Sequence, residues 1–310
     1  DNGANSGSAY LFEKPVTGWA GMTQTAKLKA SDGLANYFFG YDLDISGDIV
    51  VVGSYQHNNS GTKIGMAYVF EKPASGWADM TQTAGIDASD GLDLDYFGFS
   101  VGVSGSTIIV GSPQDDDSGV SSGSVYIFNE PATGWTDTNE DQKVLPVSPY
   151  LNNTLDNYGY SVAVDGSCAV VGSYEYLSGQ GCAYVLTENG STWQTVAVLT
   201  ASDGASNDYF GYSVAISGDY ILIGAYGDDD NGTESGAAYI FEKPVTGWAD
   251  MTETAKLTTS DAAADDYLGF SVSISGNTAV IGACRKDLFG VNSGKAYIYE
   301  KPASGWAGMT

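Results

Sequence analysis

The feature that most constrains this chain is a repeat of about 58 residues, marked by tryptophan. The tryptophans are separated by 58, 58, 58, 55 and 58 residues, and they are Trp19, Trp77, Trp135, Trp193, Trp248 and Trp306. An aromatic-Gly step keeps the same phase at Phe39-Gly40, Phe97-Gly98, Tyr158-Gly159 and Phe210-Gly211, with Leu268-Gly269 as a variant. A Gly-Ala or Gly-Ser step follows it at Gly53, Gly111, Gly172, Gly224 and Gly282. A sustained period of this kind predicts a repeat architecture.

Each repeat contains four short stretches that predict β-strands. In the fourth copy they are residues 212–217 (a), 220–225 (b), 237–242 (c) and 254–260 (d). The Ser217-Gly218-Asp219 sequence between a and b is typical of a tight hairpin turn, and no segment shows a sustained helical period. A repeated four-stranded unit predicts an all-β chain folded as a β-propeller. A linear β-solenoid is the alternative.

The strand count predicts about five blades in a single domain, 1–310. Strand types a, b and d each occur five times and type c occurs six times, with units that begin near residues 37, 96, 158, 209 and 267. We expect residues 1–36 to complete the last blade, so that the two termini share it. One c strand, 7–13 or 294–300, is then surplus. The alternative is that the chain belongs to a larger seven-bladed or longer array.

The charge of the chain excludes some partners. Lys and Arg number 12 and Asp and Glu number 38, so the formal net charge is 12 − 38 = −26. A nucleic-acid binder that neutralises phosphates needs a basic face, so we expect no nucleic-acid partner. No apolar run approaches 18 residues, and we expect no membrane span. Because the first residue is Asp1, we expect a mature or excised piece of a larger secreted or surface protein.

The unit "FGYSVAISGDYILIGA…GAAYIFE" resembles the FG-GAP repeat of integrin α-subunit propellers and of their microbial or algal-type relatives. The resemblance implies an extracellular or cell-surface β-propeller used for adhesion or ligand binding, often with Ca²⁺. Some fungal lectins hold sugars with a similar propeller. Integrin-type calcium loops lie between strands a and b, but here that connection is a short turn such as Ser46-Gly47-Asp48. So short a turn cannot supply the six to eight oxygens that Ca²⁺ prefers, and the family's metal ligands are not transferred.

Strand direction predicts that the b–c and d–a loops share one rim of the propeller. We call it the acidic rim, because its loops carry Asp32, Asp90, Asp93, Asp95, Asp115, Asp116, Asp117, Asp203, Asp208, Asp228, Asp229, Asp230, Glu234, Asp261, Asp265 and Asp266. The opposite rim carries the Glu-Lys-Pro loops with Lys14, Lys72, Lys243 and Lys301. We expect a protein or glycan ligand at the acidic rim. The alternative is that the acids only keep the protein soluble.

Two of the acidic loops are candidate calcium sites. Asp228-x-Asp230-x-Gly232-x-Glu234 places alternate oxygens around a glycine turn, like the first half of a calcium loop, but lacks the bidentate Glu at the twelfth position. A poorer copy contains Asp115 and Asp117. The equivalent loops near His57 and at 284–292 lack the pattern, so metal would bind in some blades only.

Three tyrosines are candidate ligand contacts on the acidic rim. Tyr55, Tyr174 and Tyr226 each follow the Gly-Ala or Gly-Ser step, and exposed rings there could stack on sugars. Packing of these rings against the next blade is the alternative. We expect no enzymatic activity, because His57 is the single histidine, interpreted as an exposed loop residue, and because the acids recur with the repeat.

The remaining candidates concern modification and assembly. Cys168 and Cys182 are expected on strands b and c of the third repeat unit, where a disulfide could join them. Glycosylation sequons stand at Asn58, Asn152, Asn189 and Asn231. The surplus c strand predicts self-assembly through an unpaired edge. The sequence thus predicts a non-enzymatic extracellular adhesion or assembly module, with a carbohydrate-binding lectin as the alternative.

Overall fold

A computed structural model of the chain describes residues 3–58, 61–147, 155–287, 290–307 and 309. The first strands are β1 (Ala9–Leu11), β2 (Ala26–Lys29), β3 (Leu43–Ser46), β4 (Ile49–Ser54), β5 (Met66–Glu71), β6 (Met80–Thr81), β7 (Ala84–Asp87), β8 (Ser100–Ser104), β9 (Thr107–Ser112), β10 (Ser124–Asn129), β11 (Thr138–Asn139) and β12 (Gln142–Val144). The later elements are β13 (Ser161–Asp165), β14 (Cys168–Ser173), the helical turn α1 (Tyr176–Gly179), β15 (Cys182–Asn189), β16 (Thr192–Thr200), β17 (Ser213–Ser217), β18 (Tyr220–Ala225), β19 (Ala237–Glu242), β20 (Met251–Thr252), β21 (Ala255–Leu257), β22 (Leu268–Ser275), β23 (Thr278–Ala283) and β24 (Lys295–Glu300). The all-β prediction is confirmed.

Within the described residues the strands form six sheets, and each of the middle four contains strands of types a, b, c and d. We number the sheets in chain order, and within sheets 2 to 5 the four main strands follow the predicted order a, b, c, d. Each a–b hairpin closes on a Ser-Gly or Asp-Gly turn whose glycine has positive φ, for example 57° at Gly218. Glycine adopts this backbone region without steric cost, which explains the turn sequence. The repeated four-stranded sheets fit a β-propeller.

The two terminal sheets are incomplete and separate. Sheet 1 contains β1 (type c), β2 (type d) and β6, whereas sheet 6 contains β22, β23 and β24, of types a, b and c. The predicted count of five a, b and d strands and six c strands is confirmed. The closing blade shared by the termini is not formed among the described residues, and the blade count stays a prediction.

Successive sheets pack face to face around a central channel. One side of each sheet packs on the opposite side of the next, as where Val51 of sheet 2 joins Val101 and Val103 of sheet 3 in one buried cluster. The a strands β3, β8, β13, β17 and β22 together line a cavity of about 500 Å³. A linear solenoid would not bring five equivalent strands around one cavity, so the propeller prediction is preferred over its alternative.

The recurring tryptophans stabilise the junctions between sheets. Five of them are buried, and Trp135, for example, belongs to the cluster between sheets 2 and 3. The short strands β6, β11 and β20 lie beyond Trp77, Trp135 and Trp248 and pair in parallel with strand d of the preceding sheet. In sheets 2, 3 and 5 the c–d loop therefore ties the sheet to the one before it.

The structure corrects the disulfide prediction. Cys168 and Cys182 do lie on the adjacent strands β14 and β15, but Cys168 is opposite Thr187 and Cys182 is opposite Ser173. The two cysteines are therefore at opposite ends of the hairpin, about 17 Å apart at the usual rise per residue, which is too far for a disulfide. Both are free thiols.

Two further predictions concern a glycosylation sequon and a membrane span. The sequon at Asn152 lies outside them. Within them, no helix is long and apolar enough to cross a membrane.

Candidate functional site

The b–c and d–a loops meet on one rim, as their directions predict. Tyr126 Oη on strand β10 donates hydrogen bonds to Asp90 of a d–a loop, at 3.0 Å, and to Asp115 of a b–c loop, at 2.7 Å. Tyr239 makes the same pair of bonds to Asp203 and Asp228, at 3.0 and 2.7 Å. The acidic rim is therefore built from paired loops that a tyrosine of strand c holds together.

A continuous arc of aromatic rings surrounds the channel mouth on this rim. We define the aromatic arc as Tyr41, Phe99, Tyr160, Tyr212 and Phe270. Neighbouring ring centroids along it are 4.8, 4.8, 4.9 and 5.0 Å apart. The rings line a cavity of about 400 Å³ that opens on the rim. A cavity of this size accommodates a small ligand or one residue of a larger ligand.

The predicted ligand tyrosines form a second row behind the arc. Tyr55 contacts Tyr41 at 4.5 Å, Tyr174 contacts Tyr160 at 4.3 Å, and Tyr226 contacts Tyr212 at 4.6 Å between ring centroids. All three are half-buried rather than exposed. Each also touches an aromatic ring of the following d–a loop, namely Tyr96, Tyr209 and Tyr267. The three tyrosines therefore pack against neighbouring loops, as the alternative interpretation predicted. The aromatic arc in front of them is the accessible aromatic surface.

The sequence analysis missed the aromatic arc, although a signal was available. Each member directly follows the glycine of the aromatic-Gly step, so the motifs read FGY, FGF, YGY, FGY and LGF. Tyr41, Phe99, Tyr160 and Tyr212 lie one or two residues before strand a and Phe270 lies within β22, and all five rings line the same cavity. Burial and neighbouring phenols raise the pKa of Tyr41 to about 12, and burial raises the pKa of Tyr160 well above its usual value. The phenols are therefore neutral at physiological pH.

The predicted calcium loop of sheet 5 holds a lysine at its centre. The carboxylates of Asp203, Asp228 and Asp230 lie within 4.8 Å of one another. Lys256 Nζ donates to all three, at 2.8, 2.7 and 2.6 Å respectively. Burial alone lowers the pKa of Lys256, but the three carboxylate hydrogen bonds outweigh burial and raise it above its usual value. Lys256 thus brings one positive charge to three carboxylates and partly offsets their negative charge.

Sheet 3 repeats this arrangement at the poorer copy of the loop. Lys143 Nζ donates to Asp90, Asp115 and Asp117 at 2.8, 2.9 and 2.6 Å. Asp115 is buried, as is Asp228 in sheet 5. The structure thus brings together the predicted pairs Asp228 with Asp230 and Asp115 with Asp117. The sequence analysis did not associate the lysines with these loops.

The nitrogen group that contacts these aspartates differs from sheet to sheet. The strand-d residue opposite the rim tyrosine is Lys143 in sheet 3 and Lys256 in sheet 5, where the b–c loop supplies Asp. In sheet 2 that residue is Gly85, and the b–c loop supplies His57 instead. His57 Nε2 lies 3.0 Å from Asp32 and the ring is buried, which corrects the interpretation of an exposed loop histidine. The d–a aspartate of each of these three blades therefore has a nitrogen partner from the protein.

The Lys-centred loops do not fit a calcium ion as they are folded. Calcium prefers six to eight oxygens around one centre, and here an ammonium lies at hydrogen-bond distance from all three carboxylates. Glu234, the last predicted ligand, instead accepts a hydrogen bond from Tyr267 Oη at 2.9 Å. Gly232, in the turn after Asp230, has a φ of +129°. Three close carboxylates are present, and Lys256 would have to leave before they could hold a metal.

Other carboxylates of the rim accept hydrogen bonds from backbone N–H groups. Asp42 lies between strands β3 and β8, where its carboxylate accepts from the backbone N–H of Leu43 and Val101 at 3.0 and 2.8 Å. Burial raises the pKa of Asp42 to about 6. Asp95 and Asp208 accept from Leu92 N and Ala205 N in the d–a loops, and burial raises their pKa values to about 6 as well. These acids are protonated more easily than ordinary aspartates.

Comparison with known families agrees with this architecture. The FG-GAP repeat model matches residues 22–70, 80–128, 193–241 and 251–299, which together exceed half of the chain. The chain belongs to the FG-GAP repeat family. Each match runs from strand d of one sheet through strands a, b and c of the next. FG-GAP repeats are found in extracellular and adhesion-type proteins and often bind calcium. The search of curated proteins found no match.

Proposed function

We propose that the chain is a non-enzymatic extracellular adhesion module that binds its ligand at the channel mouth of the acidic rim. The aromatic arc is the observation that carries the proposal. Five rings from five different blades converge there, and Tyr41 is half exposed. Clustered aromatic rings provide large contact areas with fixed geometry, and tyrosines add a polar end. Recurrence on five blades favours recognition of a surface over chemistry on one bond.

Carbohydrate binding is the second candidate function, and a specific observation favours it. The arc combines flat ring faces with neutral phenol groups, and Asp42 lines the same cavity. Sugars present apolar C–H faces and many hydroxyl groups, so a surface with stacking rings and hydrogen-bonding groups suits them. A protein ligand would contact the acidic loops around the cavity in addition to the aromatic arc.

Immobilised ligand panels test both candidates in one experiment. Beads coated with the chain are incubated with an array of glycans and a panel of extracellular-matrix proteins, and bound beads are counted. We expect beads with the native chain to bind one class, and beads with the Tyr160→Ala/Tyr212→Ala variant to bind at least about tenfold less, since a stacked aromatic contact contributes about 1 kcal/mol or more. Glycan binding would indicate the lectin, and protein binding the adhesion module.

A matched control variant distinguishes binding at the aromatic arc from non-specific binding by exposed aromatic rings. Trp19 is exposed on the opposite side of the chain's first sheet, in a c–d loop, so Trp19→Ala removes an aromatic ring away from the arc. It should bind like the native chain. Equal binding by the arc variant, with an unchanged melting temperature, would overturn the proposal.

Calcium remains a candidate ligand of a different kind. The family often binds it, and the Asp203, Asp228 and Asp230 carboxylates are close enough to share an ion. We propose that in this chain Lys256 takes that role, so that the acidic rim is organised without metal. A variant that lacks Lys256 tests this below.

A further inference from the structure

We infer that the acidic rim carries a second binding surface, an apolar patch that takes an amphipathic basic segment of a protein ligand. The apolar patch is defined as Leu92, Leu94, Val120 and Leu155, which are 63%, 45%, 59% and 58% exposed. It lies around the b–c loop of sheet 3, in the middle of the chain. The inference rests on the proposed function in one respect, namely that a protein ligand approaches this rim.

The four residues of the apolar patch lie on loops that contact one another. Leu155 N, in the d–a loop after sheet 3, donates to the carbonyl oxygen of Val120 in the b–c loop at 2.7 Å. The d–a loop before sheet 3 contacts the same b–c loop, where Gln114 N donates to the carbonyl oxygen of Asp95 at 3.3 Å. Asp95 directly follows Leu94 in the sequence. The apolar residues therefore flank the b–c loop of sheet 3 on both sides.

Sheet 5 forms the same pair of loops without this apolar surface. There Asp265 N donates to the carbonyl oxygen of Thr233 at 2.8 Å, as Leu155 N does to Val120. Position by position, the residues of sheet 5 that correspond to the apolar patch are Ala205, Asn207, Thr233 and Asp265. Because the loops fold alike with small or polar side chains, the fold does not require the large apolar ones around sheet 3.

Two of the leucines also occupy a backbone conformation that leucine rarely adopts. The φ angle is 74° at Leu94 and 65° at Leu155, in the left-handed region. In the other three d–a loops the same position is Asn36, Asn207 or Asp265, and asparagine and aspartate adopt this conformation more readily than leucine. Leucine therefore adds backbone strain at both places while its side chain stays in solvent. Strain of this kind is typical of functional sites, and exposed apolar patches are typical of interaction sites.

The charge around the apolar patch identifies the chemistry of the partner. The d–a loop 88–96 and the b–c loop 113–123 together carry six aspartates and no basic residue. Lys143 contacts three of these aspartates and brings one positive charge. Asp93, Asp116 and Asp117 are exposed. A segment with apolar side chains beside several lysines or arginines matches both features, since apolar anchors contribute affinity and opposite charge promotes encounter.

Fluorescence anisotropy with a defined peptide tests the inference on the intact chain. The probe is a labelled amphipathic peptide made of leucine and lysine. We expect the native chain to bind it, and the Leu94→Asn/Leu155→Asn variant to bind it at least about tenfold less tightly, because the apolar anchors are lost while the charge is unchanged. The same variant should melt about 2–4 °C higher than the native chain, because asparagine relieves the left-handed strain.

A control variant and a control peptide separate the apolar patch from general attraction. Val245→Asn makes a similar change on a fully exposed c–d loop at the opposite rim and should bind like the native chain. A lysine–serine peptide of the same charge should bind the native chain at least about tenfold less tightly than the leucine–lysine peptide. Equal binding of the two peptides, or equal binding by the native chain and the leucine variant, would overturn the inference. So would a lower melting temperature of the leucine variant, since the leucines would then support the fold.

The aromatic arc variant distinguishes a failure of this inference from a failure of the proposed function. Tyr160→Ala/Tyr212→Ala alters the arc and leaves the apolar patch, so the peptide should bind it within about threefold of the native chain. If the arc variant loses the peptide and the leucine variant keeps it, the inference fails and the proposed function stands. If the ligand panels find no ligand that needs the arc while the peptide needs the leucines, the proposed function fails and the inference stands.

Discussion

At the residue scale, a lysine lies at the centre of each candidate calcium loop. Lys143 and Lys256 each bring one positive charge to three carboxylates, one of which is buried. Where strand d has glycine, as at Gly85, the b–c loop provides His57. A buried carboxylate needs a hydrogen-bonded partner, which the lysines give to Asp115 and Asp228, whereas His57 contacts the exposed Asp32. Side chains of the protein itself therefore connect the loops of the rim.

Removal of Lys256 tests this argument. Lys256→Met leaves Asp203, Asp228 and Asp230 without their shared donor, and we expect the free energy of unfolding to fall by about 3–5 kcal/mol, as for other broken buried ion pairs. Calcium should restore part of the loss in the variant, because three carboxylates then face one vacant position. Thermal unfolding with and without millimolar Ca²⁺ measures both effects.

Lys243 is the matched control for that experiment. It is a more exposed lysine in a c–d loop, 3.8 Å from Asp219, so Lys243→Met should change stability by less than about 1 kcal/mol. If Ca²⁺ raises the melting temperature of the native chain, the ion binds despite Lys256, and the calcium prediction from the sequence gains support.

At the scale of the element, the glycine of strand b allows blades to approach. The oxygen of Gly269 lies 2.0 Å from where a Cβ of Gly224 would be, so the sheets can meet only where that side chain is missing. The requirement comes from the neighbouring blade and not from the strand's own backbone, because Gly224 has no positive φ. This explains why a residue that weakens strands recurs at one strand position in every repeat.

Alanine at that glycine should show whether contact with the next sheet or strand propensity selects glycine there. Gly224→Ala forces sheets 5 and 6 apart, and we expect a loss of about 1–3 kcal/mol in unfolding free energy, typical of overpacking. Gly282→Ala makes the same chemical change where, among the described residues, a Cβ would meet only Ser271 of the same sheet, whose side chain can rotate away, so the loss should be smaller. Urea unfolding at low protein concentration compares the two. Equal losses would show that strand propensity, and not blade contact, determines the glycine.

The sequence predicted elements better than it predicted contacts between them. The order a, b, c, d and the location of the acidic loops follow from local patterns, and both are confirmed. The association of Lys256 with Asp228 depends on strand d lying beside strand c. The two residues are 28 positions apart, and the alternation of apolar and polar residues within a strand does not predict such a contact. The disulfide prediction failed for a related reason, since Cys168 is opposite Thr187, five residues beyond Cys182. Register needs the loop conformation, here α1, which the sequence did not reveal.

At the scale of the whole molecule, the acids divide into two groups with opposite effects on stability. Burial raises the pKa of Asp42, Asp95 and Asp208 to about 6. Hydrogen bonds from Lys295 and Tyr297 lower the pKa of Asp261 to about 2. Burial alone would raise the pKa of Asp203, but the Lys256 hydrogen bond more than offsets it. The first group favours the folded state at lower pH, and the second favours it at higher pH.

The stability of the chain should therefore be greatest at mildly acidic pH. Between pH 3.8 and about 6 the folded state binds more protons at Asp42, Asp95 and Asp208 than the unfolded state, so stability falls as pH rises through that window. Below pH 3.8 the depressed aspartates must be protonated, and stability falls again. We expect a melting temperature at pH 4.5 that is about 5 °C above the value at pH 8, and above the value at pH 2.5. Asp42→Ser, which installs the residue found at the equivalent position of the other four a strands, should reduce the decline between pH 4.5 and 8. A melting temperature that rises steadily from pH 4.5 to 8 would contradict the assignment of buried, protonatable acids.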